Sequence, residues 1–201
     1  MKAACPLCGR KAQRACPAVS EAICSQCCGK GRRRTINCPD ECAYFAAGIR
    51  LALRRLAELS GDPETEMQRA DVLHNLRLAL VQFRLGRLKD LTDEEARQAL
   101  ASVADTMRTR SHGLVYDFRS PDPRIQMAVD GLTEIAGMHE KGERGFARLA
   151  ATDLMACLRY LERQAKQAIA QARGPHAWLD LIAQSVGTRF AGSPDPRLVS
   201  K

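Results

Sequence analysis

The sequence predicts an all-α protein, a helical bundle with a small cysteine-rich module at its N-terminus. Three observations predict it. The chain is 45% hydrophobic but only 4% aromatic, so Leu, Ala and Met supply the packing, and these rank high in helix propensity. Apolar residues recur at three- and four-residue intervals over most of the chain after residue 43. Eight of the nine cysteines fall between Cys5 and Cys42. At 201 residues there is room for one domain and an appendage. The expected division is a cysteine-rich module at 1–42, a helical bundle at 43–186 and a flexible tail at 187–201.

The first helix is predicted to begin inside the last cysteine pair. Pro39 suits a first helical position, and Asp40 and Glu41 complement the positive end of the helix dipole. Ile49, Leu53, Leu56 and Ala57 then share a face, and Gly61 ends the helix. A second helix is predicted from Pro63 to Arg87, with Leu73, Leu76, Leu80 and Phe83 as its buried stripe. A third opens at Thr92, which makes a capping box with Glu95 and leads to Leu100, Val103 and Met107. Ser111-His-Gly113 breaks it, and Leu114–Phe118 reads as a short extended piece. Ser120 is the expected cap of the next helix, with Pro121 at its first position and Ile125, Val129, Leu132 and Ile135 facing inward. A further helix, from Gly145 or Thr152 to Arg173, aligns Leu154, Leu158, Leu161, Ala165 and Ile169. A last one surrounds Trp178. Five or six amphipathic helices joined this way form an antiparallel bundle.

The cysteine spacing is Cys5-x2-Cys8-x7-Cys16-x7-Cys24-x2-Cys27-Cys28-x9-Cys38-x3-Cys42. A two-residue gap lets one tight turn present two thiolates to a single ion, and zinc takes four such ligands tetrahedrally. Cys5-Pro-Leu-Cys8-Gly9 has this form, with the glycine turning the backbone away after the second ligand. Cys38 and Cys42, four residues apart, share one face at a helix start. Between Cys28 and Cys38, Gly29-Lys-Gly-Arg-Arg-Arg-Thr-Ile-Asn37 suits a β-hairpin. Knuckle, hairpin and helix-start ligands in that order describe a treble-clef zinc finger. No basic segment and apolar run resembling an export signal precedes Cys5, so the expected compartment is the cytoplasm, where a reducing environment favours metal-bound thiolates over disulfides. All eight cysteines, Cys5, Cys8, Cys16, Cys24, Cys27, Cys28, Cys38 and Cys42, are candidate ligands, for two zinc ions. So short and aromatic-poor a segment scarcely folds without such a staple.

The array resembles the MYND and HIT families of eukaryotic zinc fingers, which also pair a leading C-x2-C with a later C-x3-C and a helix-borne H-x3-C. The ligands of those families interleave. The resemblance therefore implies Cys5, Cys8, Cys24 and Cys28 on one ion and Cys16, Cys27, Cys38 and Cys42 on the other, with Cys27 and Cys28 free to trade places. Cys38 stands where those families carry histidine, and Val19 where a further cysteine falls after Cys16. The whole chain is also similar to an uncharacterised group of bacterial CPxCG-type proteins that carry the Gly-Leu-Val-Tyr-Asp stretch found here at 113–117. That resemblance implies zinc binding and no particular activity.

The formal charge is +8, of which residues 1–42 hold eight Lys/Arg against three Asp/Glu. Two four-thiolate zinc sites, each about −2, would reduce the head to about +1. Lys30, Arg32, Arg33 and Arg34 are candidate contacts for nucleic acid or another partner. No aromatic residue interleaves this run, and the balance tilts slightly towards a protein partner. No membrane span and no small-molecule substrate is evident. The head contains no histidine and every cysteine pair has neighbours able to saturate a metal, so the metal is expected to be structural and no catalytic residue is assigned. The expected function is thus a non-enzymatic zinc-binding adaptor or regulator. The alternative is an enzyme whose site lies on the helical body near 112–118, beside His112 and Tyr116. Asp71 with His74, and Glu134, His139 and Glu140, read as surface or satisfied polar groups, and Cys157 as a small buried hydrophobe.

Overall fold

The computed structural model describes residues 3–32, 35–171 and 174–187. Among these, eight helices follow one short hairpin, so the fold is mostly helical, with the cysteines gathered at its N-terminal end. No helix among the described residues is long and apolar enough to cross a membrane.

The hairpin pairs β1 (Arg14–Cys16) with β2 (Glu21–Ile23), antiparallel, Ala15 facing Ala22. The short helix α1 (Ser25–Gly31) follows directly. Among the described residues, the hairpin expected between Cys28 and Cys38 is not found, because its first residues belong to α1 and Arg32 meets Ile36 only in an isolated bridge. The Gly31 carbonyl accepts the N–H groups of Thr35 and Ile36 at 3.1 and 2.8 Å. Ile36 is the one apolar residue in the 29–37 run and is buried, 6% exposed, against Gly31, where a Cβ would overlap it. Burial of that side chain outweighs strand pairing here.

Helix α2 (Ala43–Ser60) begins after Cys42, four residues later than Pro39. The Pro39 carbonyl accepts the Cys42 N–H at 3.2 Å, which makes a turn, and the first helical bond runs from the Ala46 N–H to the Cys42 carbonyl. α2 serves two cores. Phe45 packs with the cysteines of the head, and Leu56 packs in the bundle.

The helix predicted for 63–87 is two helices, α3 (Pro63–Gln68) and α4 (Ala70–Leu85), parted at Arg69. The break turns Glu66 inward. Its carboxylate accepts from both terminal guanidinium nitrogens of the buried Arg77, Nη1 and Nη2, at 2.6 and 2.7 Å and from the Tyr160 hydroxyl at 2.6 Å. α5 (Asp93–Ser111) carries the expected Thr92–Glu95 capping box. α6 (Pro123–Lys141) is capped by Asp122 rather than Ser120, since a carboxylate is the stronger acceptor at the positive end of a helix. α7 (Ala151–Ala170) and α8 (Ala177–Ser185) complete the bundle. α5 lies against α6 and α7, and α2 lies along α8 and α7. Leu100, Val103, Leu132, Leu158, Leu161 and Trp178 are fully buried between them. Most of the tail expected at 187–201 falls outside the described residues.

Candidate metal centre

The head is assembled from two reversals of the chain that meet at their cysteines. In the first, the Cys5 carbonyl accepts the N–H groups of Cys8 and Gly9 at 3.3 and 2.8 Å. Gly9 then leaves with φ +71°, a conformation that suits glycine. This knuckle is closed behind by the Cys5 N–H, which donates to the Arg10 carbonyl at 2.7 Å. In the second, the β1–β2 hairpin returns the chain to the knuckle and releases it into α1, with Cys24 as the capping residue. The fully buried Ile23 lies between these pieces as the apolar centre of the head.

Four thiols converge as a result. The ligand atoms of Cys5, Cys8, Cys24 and Cys27 all lie within 4.8 Å of one another, and among the described residues no other group of His, Cys, Asp or Glu does so. The Sγ atoms of Cys8 and Cys24 are 3.6 Å apart. Four soft sulfurs with this mutual spacing can hold a tetrahedral metal ion. Cys5 and Cys24 are buried, Cys27 half-buried and Cys8 exposed.

Hydrogen bonds prepare the set for deprotonation. The Cys27 N–H donates to Cys24 Sγ at 3.3 Å, and chiefly for that reason the Cys24 thiol is lowered to about 6. Burial pushes the Cys5 thiol up, but N–H groups of Cys24 and Leu7 and the thiols of Cys8 and Cys27 outweigh it, so its value is lowered. Cys27 takes the opposite role. Hydrogen bonds to Cys8 and Cys24, with burial, raise it to about 12. These shifts favour loss of the proton from Cys24 first and from Cys27 last. A metal ion expels the remaining protons, which makes binding pH-dependent.

The structure thus selects Cys27, not Cys28, as the fourth member of the first set, the exchange that the sequence left open. Successive helical residues point about 100° apart, so the two adjacent cysteines of α1 cannot face one ion. Cys28 turns instead into the apolar core of the head with Ile36, Cys38 and Cys42, and the half-buried Cys16 packs against it. The repeated two-residue gap, Cys5–Cys8 and Cys24–Cys27, was the signal that could have fixed this pairing.

The other candidate residues disperse. Lys30 is exposed on α1, Arg32 is half-buried against α2, and Arg33 and Arg34 lie outside the described residues. His112 is exposed and uses Nδ1 on the Arg108 carbonyl at 2.8 Å. Three open clefts of the bundle, of roughly 340 to 500 Å³, are not lined by residues 112–118. One of them brings together Asp71, His74 and His139. The ring of His139 is already bonded on both sides, Nε2 to Asn75 at 3.3 Å and Nδ1 to the Ala147 carbonyl at 2.9 Å. Cys157 is fully buried, and burial pushes its thiol up to about 11. Comparison with protein-family models, with curated proteins and with solved structures finds no match to this chain, so the reading of the site rests on its own geometry.

Proposed function

We propose that the protein is a non-enzymatic adaptor or regulator whose head is shaped by structural zinc and presents a recognition surface. The convergence of Cys5, Cys8, Cys24 and Cys27 carries this reading. Four thiolates saturate a tetrahedral zinc ion and leave no position for a substrate, which is the mark of a structural site. Knuckle, hairpin and helix start follow one another in the order of a treble clef, with Cys24 capping the helix and Cys27 on it. Cys16, Cys28, Cys38 and Cys42 are the residues for a second ion, since they pack in the same small core and a thiolate set is the common reason to gather cysteines in an unlinked head.

Replacement of the native metal by cobalt(II) tests the closed site. The expected result is a strong visible spectrum with sulfur-to-metal charge transfer, unchanged by added azide and weakened in Cys24→Ser. A spectrum that shifts with azide reveals an open position and overturns the structural reading.

A further inference from the structure

Positive charge is unevenly placed along this chain. Residues 1–60, the head with α2, hold eleven Lys/Arg against four Asp/Glu, while residues 61–201 hold twenty against nineteen. Even two four-thiolate zinc sites, at about −2 each, leave the first part clearly cationic.

The pairing of these charges differs just as sharply. Nine arginines of the bundle sit in ion pairs with carboxylates, from Arg69 with Asp153 to Arg163 with Asp62. In the head and α2, one ion pair is found among the described residues, between Arg54 and Glu58 at 3.8 Å, both exposed. Arg50 and Arg55 are exposed and have no carboxylate partner among the described residues.

The geometry of α2 gathers these cations with an aromatic ring. Tyr44, Leu51, Arg54 and Arg55 lie on its exposed face, and Arg50 flanks them. At the head end, Arg14 of β1 places its guanidinium 5.1 Å from the centre of the Tyr44 ring, which is 37% exposed. A planar cation on an exposed ring is a ready platform for a base, and the arginines beyond it are placed for a phosphate backbone.

We infer that this face of α2, with the Arg14–Tyr44 pair at its head end, binds single-stranded nucleic acid. The inference rests on the proposed zinc head, which holds β1 against α2. A duplex would use the cations but leave Tyr44 and Leu51 uncovered, and an acidic polypeptide without aromatic residues, such as poly-glutamate, has no flat ring to cover them. Unpaired bases satisfy both halves of the surface.

The test is fluorescence anisotropy of zinc-loaded full chain with a labelled mixed-sequence single-stranded oligonucleotide, across a range of salt. Metal content and circular dichroism are read on the same samples. Wild type is expected to bind with a steep salt dependence, and more tightly to single strand than to duplex. Arg50→Glu, Arg54→Glu and Arg55→Glu together should reduce the log–log salt slope by about two, at roughly 0.7 per phosphate contact. Tyr44→Ala should weaken binding about tenfold or more, with Tyr44→Trp restoring it. Binding unchanged by the triple reversal, duplex bound as tightly as single strand, or poly-glutamate bound as tightly as the oligonucleotide would each overturn the inference. Metal-replete protein that binds no oligonucleotide defeats this inference alone, whereas protein that never holds metal defeats the reading beneath it.

Discussion

Arg32 lays its guanidinium against the bare backbone of α2 at Gly48, where a Cβ would overlap Nη1. The buried Nε of Arg32 has no hydrogen-bond partner. The contact joins the end of α1 to the helix that enters the bundle, and it requires glycine at 48.

A double-mutant cycle measures that contact. Gly48→Ala gains up to about 1 kcal/mol of helix propensity and displaces the guanidinium, whose tip is free to move. Arg32→Ala should therefore matter in the wild-type background and much less beside Gly48→Ala, with a coupling of roughly 0.5–1 kcal/mol in chemical denaturation. Strictly additive effects would show that the two residues do not depend on each other.

The Glu66–Arg77 pair gives an acid-sensitive element of the bundle. Burial pushes the Glu66 carboxyl up, but the hydrogen bonds and charge of Arg77, with the Tyr160 hydroxyl, outweigh it and hold the folded value below the ordinary one. Its stabilising contribution is complete above the unfolded value of about 4.3 and is lost as pH falls through the lower folded value. Glu66→Ala leaves the Arg77 cation buried at 2% exposure and should cost about 3–5 kcal/mol at neutral pH. Glu66→Gln should flatten the acid limb of stability against pH, and an unchanged limb would remove Glu66 from the account.

How much of this was legible in the sequence depended on where the information lay. The Thr92–Glu95 box and the apolar stripes of α5 and α7 are local patterns, and they form where they were read. The break at Arg69 carries no glycine or proline, so no local signal marks it, and the Glu66–Arg77 pair that goes with it joins two different helices. The strands of the head are three residues each and have no alternation to detect, so the hairpin came from the return of Cys24 to Cys5 rather than from propensity. α1 includes Gly29 and Gly31, poor helix formers, and its place is likewise fixed by the cysteines it carries. The ligand types were plain from spacing, whereas the partition between Cys27 and Cys28 needed the helix that separates them.

Asp93 accepts the N–H groups of Trp178 and Leu179 at 2.9 and 3.0 Å and so caps α8 from the first turn of α5. Asp93→Ala should cost roughly 2–3 kcal/mol, since two buried donors lose their acceptor. Trp178 is the single tryptophan of the chain and is fully buried, so loosening of α8 should appear as a red shift of its emission. Native emission and unchanged stability in this variant would show that packing alone holds α8.

Thiol reactivity separates the head from the bundle. The metal-loaded protein should react slowly with a thiol reagent, and chelation should release the eight head thiols while the fully buried Cys157 stays silent. Cys157 should react when the chain is unfolded. Eight thiols available in the native state without chelation would mean that no metal holds the head.

The most direct measurement is the metal-to-chain ratio of purified, tag-free protein by elemental mass spectrometry, beside the variant Cys24→Ser/Cys27→Ser. The expected result is two zinc ions per chain in the wild type and one in the variant, with the bundle's helical circular dichroism kept in both. Wild-type protein that folds without metal, or a double variant that retains the full complement, would contradict the assignment of Cys5, Cys8, Cys24 and Cys27 as a metal centre.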